Sequence, residues 1–184
     1  MSKPDSNHFS GTAGQKATFE NSSTASVIND RINTEDSEKK EHPTRYSQLS
    51  AKKLKQLREK VYNRTITKEE YRRLFWQKRL TNRRNEGIKQ FWINERRLIK
   101  KGLPTTRNWS AEQRKDILSG KKPKHKGKAM ASHHVYSVAK YPQLANRHEF
   151  IYPVTVYEHI YGWHGGNTKS SLPGKPINRI KEEF

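Results

Sequence analysis

The stretch ASHHVYSV, residues 131–138, places two histidines side by side in a run that predicts a β-strand. Neighbouring side chains on a strand point to opposite faces, so His133 and His134 are expected to have different surroundings. An imidazole can ligate a metal ion, and a free imidazole that titrates near neutrality can act as a general base. The pair therefore predicts a division of roles, in which one ring holds a metal and the other deprotonates water.

Two further histidines follow in the segment EHIYGWHGGN, and they are the candidate partners for the metal. The residues TVYE, 155–158, form a capping box that predicts a short helix, preceded by a second strand over 150–154. His159 and His164 are five residues apart, which on a continuous α-helix separates two side chains by about 140° around the axis. They are therefore expected to converge only if the helix ends near Gly162.

This set of residue types suits the hydrolysis of a phosphodiester. That reaction needs an activated water and a cation that stabilises charge on the phosphate and on the leaving oxygen. The chain has no cysteine, which excludes disulfides and thiolate metal sites. A bound metal would therefore be held by histidine, carboxylate and water.

The charge distribution indicates a polyanionic partner. The 184 residues carry a net charge of +20, and residues 43–128 account for all of it, with 27 Lys/Arg and 7 Asp/Glu. Nucleic acid is the first candidate partner for such a chain, followed by acidic proteins and anionic membranes. No apolar run of 18 residues predicts a membrane span, and the first residues lack the apolar segment of a signal peptide.

The composition divides the chain into a leader and one modest domain. Residues 1–42 are rich in small polar and charged groups, which predicts a disordered leader or linker. Residues 43–120 predict a basic helical region with capping boxes at TKEE and SAEQ, in which Gly87 either breaks a long helix or is tolerated within it. Residues 121–184 contain the histidines, beginning with a basic loop, so the fold class predicted for 43–184 is α+β.

Four aromatic side chains in the basic region are spaced as in a helix core. We predict that they pack in the interior rather than stack on bases. They are Phe75, Trp76, Phe91 and Trp92.

Over residues 105–174 the sequence resembles the HNH-type nuclease domains of bacterial polymorphic toxins, and more distantly the nuclease colicins. The residues that carry the resemblance are the HH pair, the segment YPQLAN and the final HGGN. The resemblance implies a ββα-metal finger, a single divalent ion (Zn or Ni, or Mg or Mn), and an endonuclease that cuts DNA with little sequence preference. RNA is the alternative substrate of the same fold.

Carried over by position, the resemblance makes His133, His159 and His164 the metal ligands and His134 the general base. One departure is that Phe150 stands where the family has a central Asn, which normally ties down the loop. Asn146 or His148 is the expected substitute, and His148 is also the reserve metal ligand.

Three sets of residues have supporting roles that the sequence leaves open. Glu158 either completes the capping box or hydrogen-bonds a ligand histidine. Asn167, with the two glycines before it, either forms a turn or brings backbone close to the finger. The candidate nucleic-acid-binding residues are Lys121, Lys122, Lys124, Lys126 and Lys128.

The resemblance also implies a biological setting. Such a domain is the toxic tip of a secreted antibacterial protein that acts in the cytoplasm of a target cell, and an acidic immunity protein is expected to neutralise it. The lack of a signal peptide fits a dedicated secretion system, and equally an ordinary cytoplasmic protein. The rival hypothesis is a non-catalytic nucleic-acid-binding module with a structural zinc, which would need a fourth protein ligand such as His134 or His148.

Overall fold

The computed structural model describes residues 39–42 and 46–184, so the predicted leader lies outside it except for its last four residues. The described residues combine helices with two small sheets, and residues 51–118 are mainly helical. The elements are α1 (Ala51–Tyr62), α2 (Lys68–Lys100), α3 (Ala111–Leu118), β1 (Lys124–His125), β2 (Lys128–Ala129), β3 (Ala131–His134), β4 (Ile151–Val154) and a π-helix (Glu158–Trp163). Within the described ranges, no helix is both long and apolar enough to cross a membrane.

Each of the three α-helices between residues 46 and 184 begins at the cap that the sequence predicts. Thr67 and Ser110 form complete capping boxes at α2 and α3, and the Ser50 hydroxyl accepts from the Lys53 amide at α1. Helix α2 ends where Gly102 adopts a left-handed φ of +64° and the Leu103 amide donates to the Leu98 carbonyl. This is the glycine-based C-terminal motif expected from the sequence.

Helix α2 runs through Gly87 without a break, and the glycine has a packing role. A Cβ atom at this position would lie 2.6 Å from the carbonyl oxygen of Ala145, in the loop that follows β3. The helix backbone and the loop therefore approach more closely than any side chain would allow. This contact sets the distance between α2 and the histidine-bearing end of the protein.

The histidine pair lies in an antiparallel sheet made of β3 and β4. His133 is opposite Tyr152 and His134 is opposite Ile151, and the π-helix follows β4 after Thr155. The predicted basic loop is instead a second small sheet, a hairpin of β1 and β2. Its turn residues Lys126 and Gly127 have φ of +47° and +77°, a conformation that glycine adopts easily and that tight hairpins require.

The part of the chain that the structure describes has a hydrophobic core in two parts. The first surrounds the β3–β4 sheet and contains Val135, Tyr136, Tyr141, Leu144, Phe150, Tyr152, Val154 and Trp163. The second joins α2, α3 and the hairpin through Trp109, Ile117 and Met130, with Trp92, Ile99 and Phe184 packed against it.

The prediction for the four aromatic side chains of α2 is only partly right. Phe91 is buried and Trp92 packs against the second core. Trp76 is half-buried beside His42 and Tyr46, with ring centroids 5.7 and 5.8 Å away. Phe75 is 49% exposed, so its assignment to the interior is wrong. It lies on the solvent side of α2, where its ring stacks on Tyr71.

The last residues of the predicted leader contact the loop after β3. The His42 amide donates to the Lys140 carbonyl at 3.0 Å, and Glu41 forms an ion pair with Lys140 at 3.1 Å. The Gln143 side chain donates to the Lys40 carbonyl at 2.7 Å. Residues 40–42 are therefore part of the folded unit, and the predicted boundary at residue 42 remains a prediction.

Candidate active site

His133 and His134 are both buried on β3, but their rings have different partners. The His133 ring packs against Trp163 and against the rings of His159 and His164, at centroid distances of 4.5, 5.0 and 5.2 Å. The His134 ring instead faces the loop after β3, where its Nε2 atom lies 3.0 Å from the Ala145 carbonyl oxygen. The alternation of the strand thus separates the two imidazoles as the sequence predicts.

The contact with Ala145 determines which nitrogen of His134 is available. A carbonyl oxygen can only accept a hydrogen bond, so Nε2 carries the proton and Nδ1 keeps its lone pair. Burial lowers the pKa of His134 from 6.5 to about 4; the hydrogen bond that His134 donates to the Ala145 carbonyl opposes this shift, and the Arg84 charge adds to it. The ring is therefore neutral at pH 7 and can accept a proton, although its pKa is lower than the near-neutral value expected from the sequence.

Arg83 on α2 holds the loop that carries Ala145. Its guanidinium donates to the carbonyls of Pro142 and Gln143, and to the Asn146 side-chain oxygen at 2.6 Å. Asn146 thus takes part in the bracing that the family's central Asn was expected to supply. The His148 ring contacts Glu149 instead, with its Nδ1 atom 3.2 Å from a carboxylate oxygen, and it lies outside the histidine cluster.

Three histidines converge where a metal ion could bind. One ring nitrogen from each of His133, His159 and His164 lies within 4.8 Å of the others. The Nε2 atoms of His159 and His164 are 3.3 Å apart, about the separation of two nitrogens that ligate one tetrahedral zinc ion at 2.0–2.1 Å. The described part of the chain brings no other His, Asp or Glu into this cluster.

The convergence of His159 and His164 has a different cause from the one predicted. The segment is a π-helix, in which the His164 amide donates to the His159 carbonyl five residues earlier. This wider turn places residues five apart on the same side, whereas an α-helix would separate them. The helix ends at Trp163, one residue after Gly162 and before His164, which is close to the predicted end. Gly162 is buried, and a Cβ there would lie 3.0 Å from the Ile180 side chain.

The segment after the π-helix orients the His164 ring. Its Nδ1 atom lies 2.6 Å from the Ser170 carbonyl oxygen, which leaves Nε2 free to ligate a metal. The Ser170 amide in turn donates to the Asn167 carbonyl at 2.8 Å. Asn167 therefore forms a turn that presents Ser170, and Gly165 and Gly166 supply the left-handed φ values of +57° and +85° that this turn needs.

Glu158 stabilises the first turn of the π-helix, and its hydrogen-bond partners are not the ligand histidines. It completes the capping box with Thr155 and binds the Arg107 guanidinium through both oxygens, at 2.6 and 2.8 Å. It also accepts from the Glu183 amide at 2.9 Å. Burial raises the pKa of Glu158, but Arg107 and these amides outweigh it, so the pKa lies below 4.5 and the carboxylate is ionised.

The donor set fits a divalent metal. Burial, reinforced by the neighbouring imidazoles, holds the pKa of His133 well below its usual range, and burial likewise lowers the pKa of His159. Both rings are therefore neutral at pH 7, which is the form that binds metal. Three imidazole nitrogens suit zinc or nickel, and three protein ligands leave a position for water or substrate.

The histidines open onto a cleft of about 500 Å³ between α2 and the β3–β4 sheet. Of the five lysines predicted to bind nucleic acid, Lys122 lines this cleft, together with Lys169 from the segment after the π-helix. Lys126 instead pairs with Glu183 at 2.9 Å. The remaining three are exposed on or near the hairpin, outside the cleft.

Three arginines near the site were not singled out by sequence reasoning. Arg83, Arg84 and Arg107 are three of the 27 basic residues between positions 43 and 128, so charge alone did not distinguish them. The helical spacing of α2 could have identified Arg84. This residue is one turn before Gly87 and shares a helix face with the apolar residues Leu80 and Ile88. No sequence signal identified Arg107, whose partner Glu158 is 51 residues away.

Residues 75–155 match the family model described as the GHH signature containing HNH/Endo VII superfamily nuclease toxin. The match begins within α2, N-terminal to the region of the sequence resemblance, and ends before the π-helix. It includes the histidine pair, with Ser132 in place of the Gly of the signature. The Ser132 hydroxyl accepts from the Trp92 indole N–H at 3.0 Å. No curated protein and no solved structure matches the chain significantly. Over residues 75–155 the chain is therefore similar to the GHH-signature nuclease toxins of the HNH/Endo VII superfamily.

Proposed function

We propose that this protein is a metal-dependent endonuclease that hydrolyses DNA with little sequence preference. The observation that carries the proposal is the arrangement of four buried or half-buried histidines along one cleft. Three of them converge through their ring nitrogens, while His134 is held apart with Nδ1 free. The family match at residues 75–155 supports the reaction class.

His134 is the proposed general base. Its Nδ1 atom accepts a proton from water as the water oxygen attacks phosphorus, and the bond from phosphorus to the 3′ oxygen breaks. The Ala145 carbonyl keeps the ring in the required tautomer and orientation. The leaving 3′ oxygen takes a proton from solvent, and the product strand carries a 5′ phosphate.

His133, His159 and His164 are the proposed metal ligands. A divalent ion bound there supplies a positive charge that stabilises the phosphate and the leaving oxygen. His133 is positioned by strand β3. His159 and His164 are positioned by the π-helix, which the Arg107–Glu158 ion pair stabilises. In this proposal His134 is not a ligand, which separates the site from a structural zinc held by four residues.

The basic surface is the proposed binding site for the nucleic-acid backbone. Lys122 and Lys169 line the cleft, and exposed Lys121, Lys124 and Lys128 lie on or near the hairpin. Binding to duplex DNA is expected to weaken with salt, with a log–log slope of about −0.9 for each phosphate contacted.

The biological proposal extends the family match. We expect the chain to be the toxic part of a secreted bacterial protein, delivered into the cytoplasm of a competing cell. A net charge of +20 favours an acidic immunity protein as the neutralising partner, because charges of opposite sign speed association and favour correct pairing.

Cleavage of supercoiled plasmid by the purified chain, across a series of divalent metals, tests the activity. We expect metal-dependent nicking that EDTA stops and that His134→Ala reduces by about 10² to 10⁴ fold, the usual contribution of a general base. His148→Ala is the matched control, because His148 is also a histidine near the site but lies outside the cluster.

Three other results would argue against the proposal. Equal nicking by His134→Ala and wild type would remove His134 from the chemistry. Tight DNA binding without cleavage in any metal would favour a non-catalytic binding module. Cleavage of RNA alone in a parallel assay would keep the reaction and change the substrate.

A further inference from the structure

One face of α2 forms a wall of the histidine cleft. The α2 side chains that line it are Gln77, Leu80, Thr81, Arg84 and Ile88, which share a face of the helix. Arg84 is the only charged residue among them. Helix α2 therefore contributes one cation to the same cleft as the histidines of β3 and of the π-helix.

The Arg84 guanidinium has no partner in the described part of the chain. No hydrogen bond, ion pair or ring contact involves it between residues 46 and 184 or with residues 39–42, and its side chain is exposed. The neighbouring Arg83 differs completely, because its guanidinium donates to two carbonyls and to Asn146. Two adjacent arginines thus have separate roles, one within the fold and one facing the cleft.

Arg84 shares its cavity with both parts of the site. Its side chain lines the cleft together with His134, the proposed base, and with His159 and His164, two of the proposed metal ligands. None of the described residues that line the cleft is acidic, so an anion that enters it meets only basic and neutral groups.

Close packing holds the α2 backbone on either side of Arg84. Gly87, one turn further along α2, contacts the Ala145 carbonyl, and Ala145 is the residue that orients His134. Arg83 bonds the same loop on its other side. The α2 backbone, the loop and the His134 ring are therefore held at fixed separations. Residues that contact the same reacting phosphate need such a fixed arrangement.

We propose that Arg84 binds the non-bridging oxygens of the phosphate that is cut, and stabilises the charge that builds on them during hydrolysis. The planar guanidinium matches two phosphate oxygens with two parallel N–H donors, which a lysine cannot reproduce. Lys122 and Lys169 lie in the same cleft but on flexible stems, which suits them to flanking phosphates. This assignment rests on the proposed nuclease function.

Steady-state kinetics on a short DNA duplex test the catalytic part of the proposal. Arg84→Gln is expected to lower kcat by about 10² to 10³ fold, the usual loss when one fixed donor to a developing oxyanion is removed. Arg84→Lys should recover only part of this loss. Metal affinity, measured by calorimetry, should stay within a few fold of wild type. Arg72→Gln is the matched control, since it removes the same charge from an exposed site on α2 outside the cleft.

A binding measurement separates this proposal from the nuclease function itself. Inorganic phosphate is titrated into the metal-loaded protein, and the NMR signals of the Arg84 Nε–H group and the His134 ring are followed. We expect both signals to shift in wild type and in Arg72→Gln, and the His134 shift to disappear in Arg84→Gln.

The outcomes decide the two proposals independently. If wild type cleaves nucleic acid and Arg84→Gln has the same kcat as Arg72→Gln, Arg84 is not a catalytic residue. If wild type cleaves nothing, the nuclease proposal fails and the phosphate titration alone decides whether Arg84 forms an anion site. Absent shifts in wild type, or an undiminished His134 shift in Arg84→Gln, would overturn the Arg84 assignment in either case.

Discussion

At the scale of single residues, His133 and His134 have the same side chain and differ only in what surrounds each ring. His133 lies among other imidazoles, so its lone pair is directed toward a shared centre. His134 donates to a backbone carbonyl, so its remaining lone pair is directed elsewhere. This difference predicts that loss of His133 lowers both metal affinity and cleavage, whereas loss of His134 lowers cleavage and leaves metal affinity unchanged.

Substitution of a ligand histidine tests that distinction. His159→Ala is expected to lower zinc affinity by at least about 100-fold, because loss of a ligand should exceed the 10–100-fold effect of losing an outer hydrogen bond. His134→Ala should leave the affinity within a few fold of wild type. The measurement is competition with a chromogenic chelator at pH 7.5, with His148→Ala as the control. A large loss of zinc affinity in His134→Ala would indicate a four-ligand structural site instead.

At the scale of elements, the π-helix depends on contacts from distant parts of the chain. A π-helix is rare and intrinsically less favourable than an α-helix, so surrounding structure has to maintain it. Arg107, from the segment between α2 and α3, binds Glu158 at its first turn and stacks over the Phe184 ring at 4.0 Å. The Asn178 amide donates to the Gly162 carbonyl at 3.0 Å. The ligand spacing of His159 and His164 therefore depends on this buried ion pair and on the last residues of the chain.

Removal of the arginine should destabilise the protein. Arg107→Met leaves Glu158 buried without its cationic partner, and the loss of one member of a buried pair costs about 3–5 kcal/mol. Lys60→Met, which breaks the solvent-accessible pair with Glu70, should cost much less. Denaturation by urea, with EDTA present, compares the two free energies of unfolding.

The same variants also separate stability from positioning. If Arg107 holds the π-helix, zinc affinity should fall in Arg107→Met under conditions where the variant is still folded. Lys60→Met should bind zinc as wild type does. Similar unfolding free energies for the two variants would contradict the structural importance of the Arg107–Glu158 pair.

At the scale of the whole molecule, burial of neutral histidines couples folding to pH. The pKa of His134 is about 4 in the folded state and about 6.5 in the unfolded chain. The unfolded chain therefore takes up a proton first as pH falls, which favours unfolding. The stability contributed by the neutral ring is complete above pH 6.5 and is lost progressively as pH falls toward 4.

The metal-free protein should accordingly become less stable in mild acid. We expect His134 alone to account for a loss of about 2 kcal/mol between pH 7.5 and pH 5, with further losses from His133 and His159. Carboxylates whose pKa values are lowered, such as Glu158, stay ionised in this window and do not contribute. Urea denaturation at several pH values is the measurement, and the pH slope of His134→Asn should be shallower. Equal slopes in the variant and wild type would exclude His134 as a source of the pH dependence.

Some properties of this protein follow from the sequence by itself. Local spacing identified the helix starts at Ser50, Thr67 and Ser110, because a cap and its partner are only three residues apart. Strand alternation and the histidine motifs selected all four site histidines. These signals are short-range, so they can be read without knowing how the chain folds.

Only the tertiary structure decided how those residues act together. The π-helix, the Ala145 carbonyl that fixes the His134 tautomer, and the Arg107–Glu158 pair all depend on contacts between distant segments. The role of Gly87 also depends on such a contact, since its close approach to Ala145 is invisible in the helical pattern. The two adjacent arginines of α2 look alike in the sequence. They differ only because a helix turns about 100° per residue, which directs Arg83 to the loop and Arg84 to the cleft.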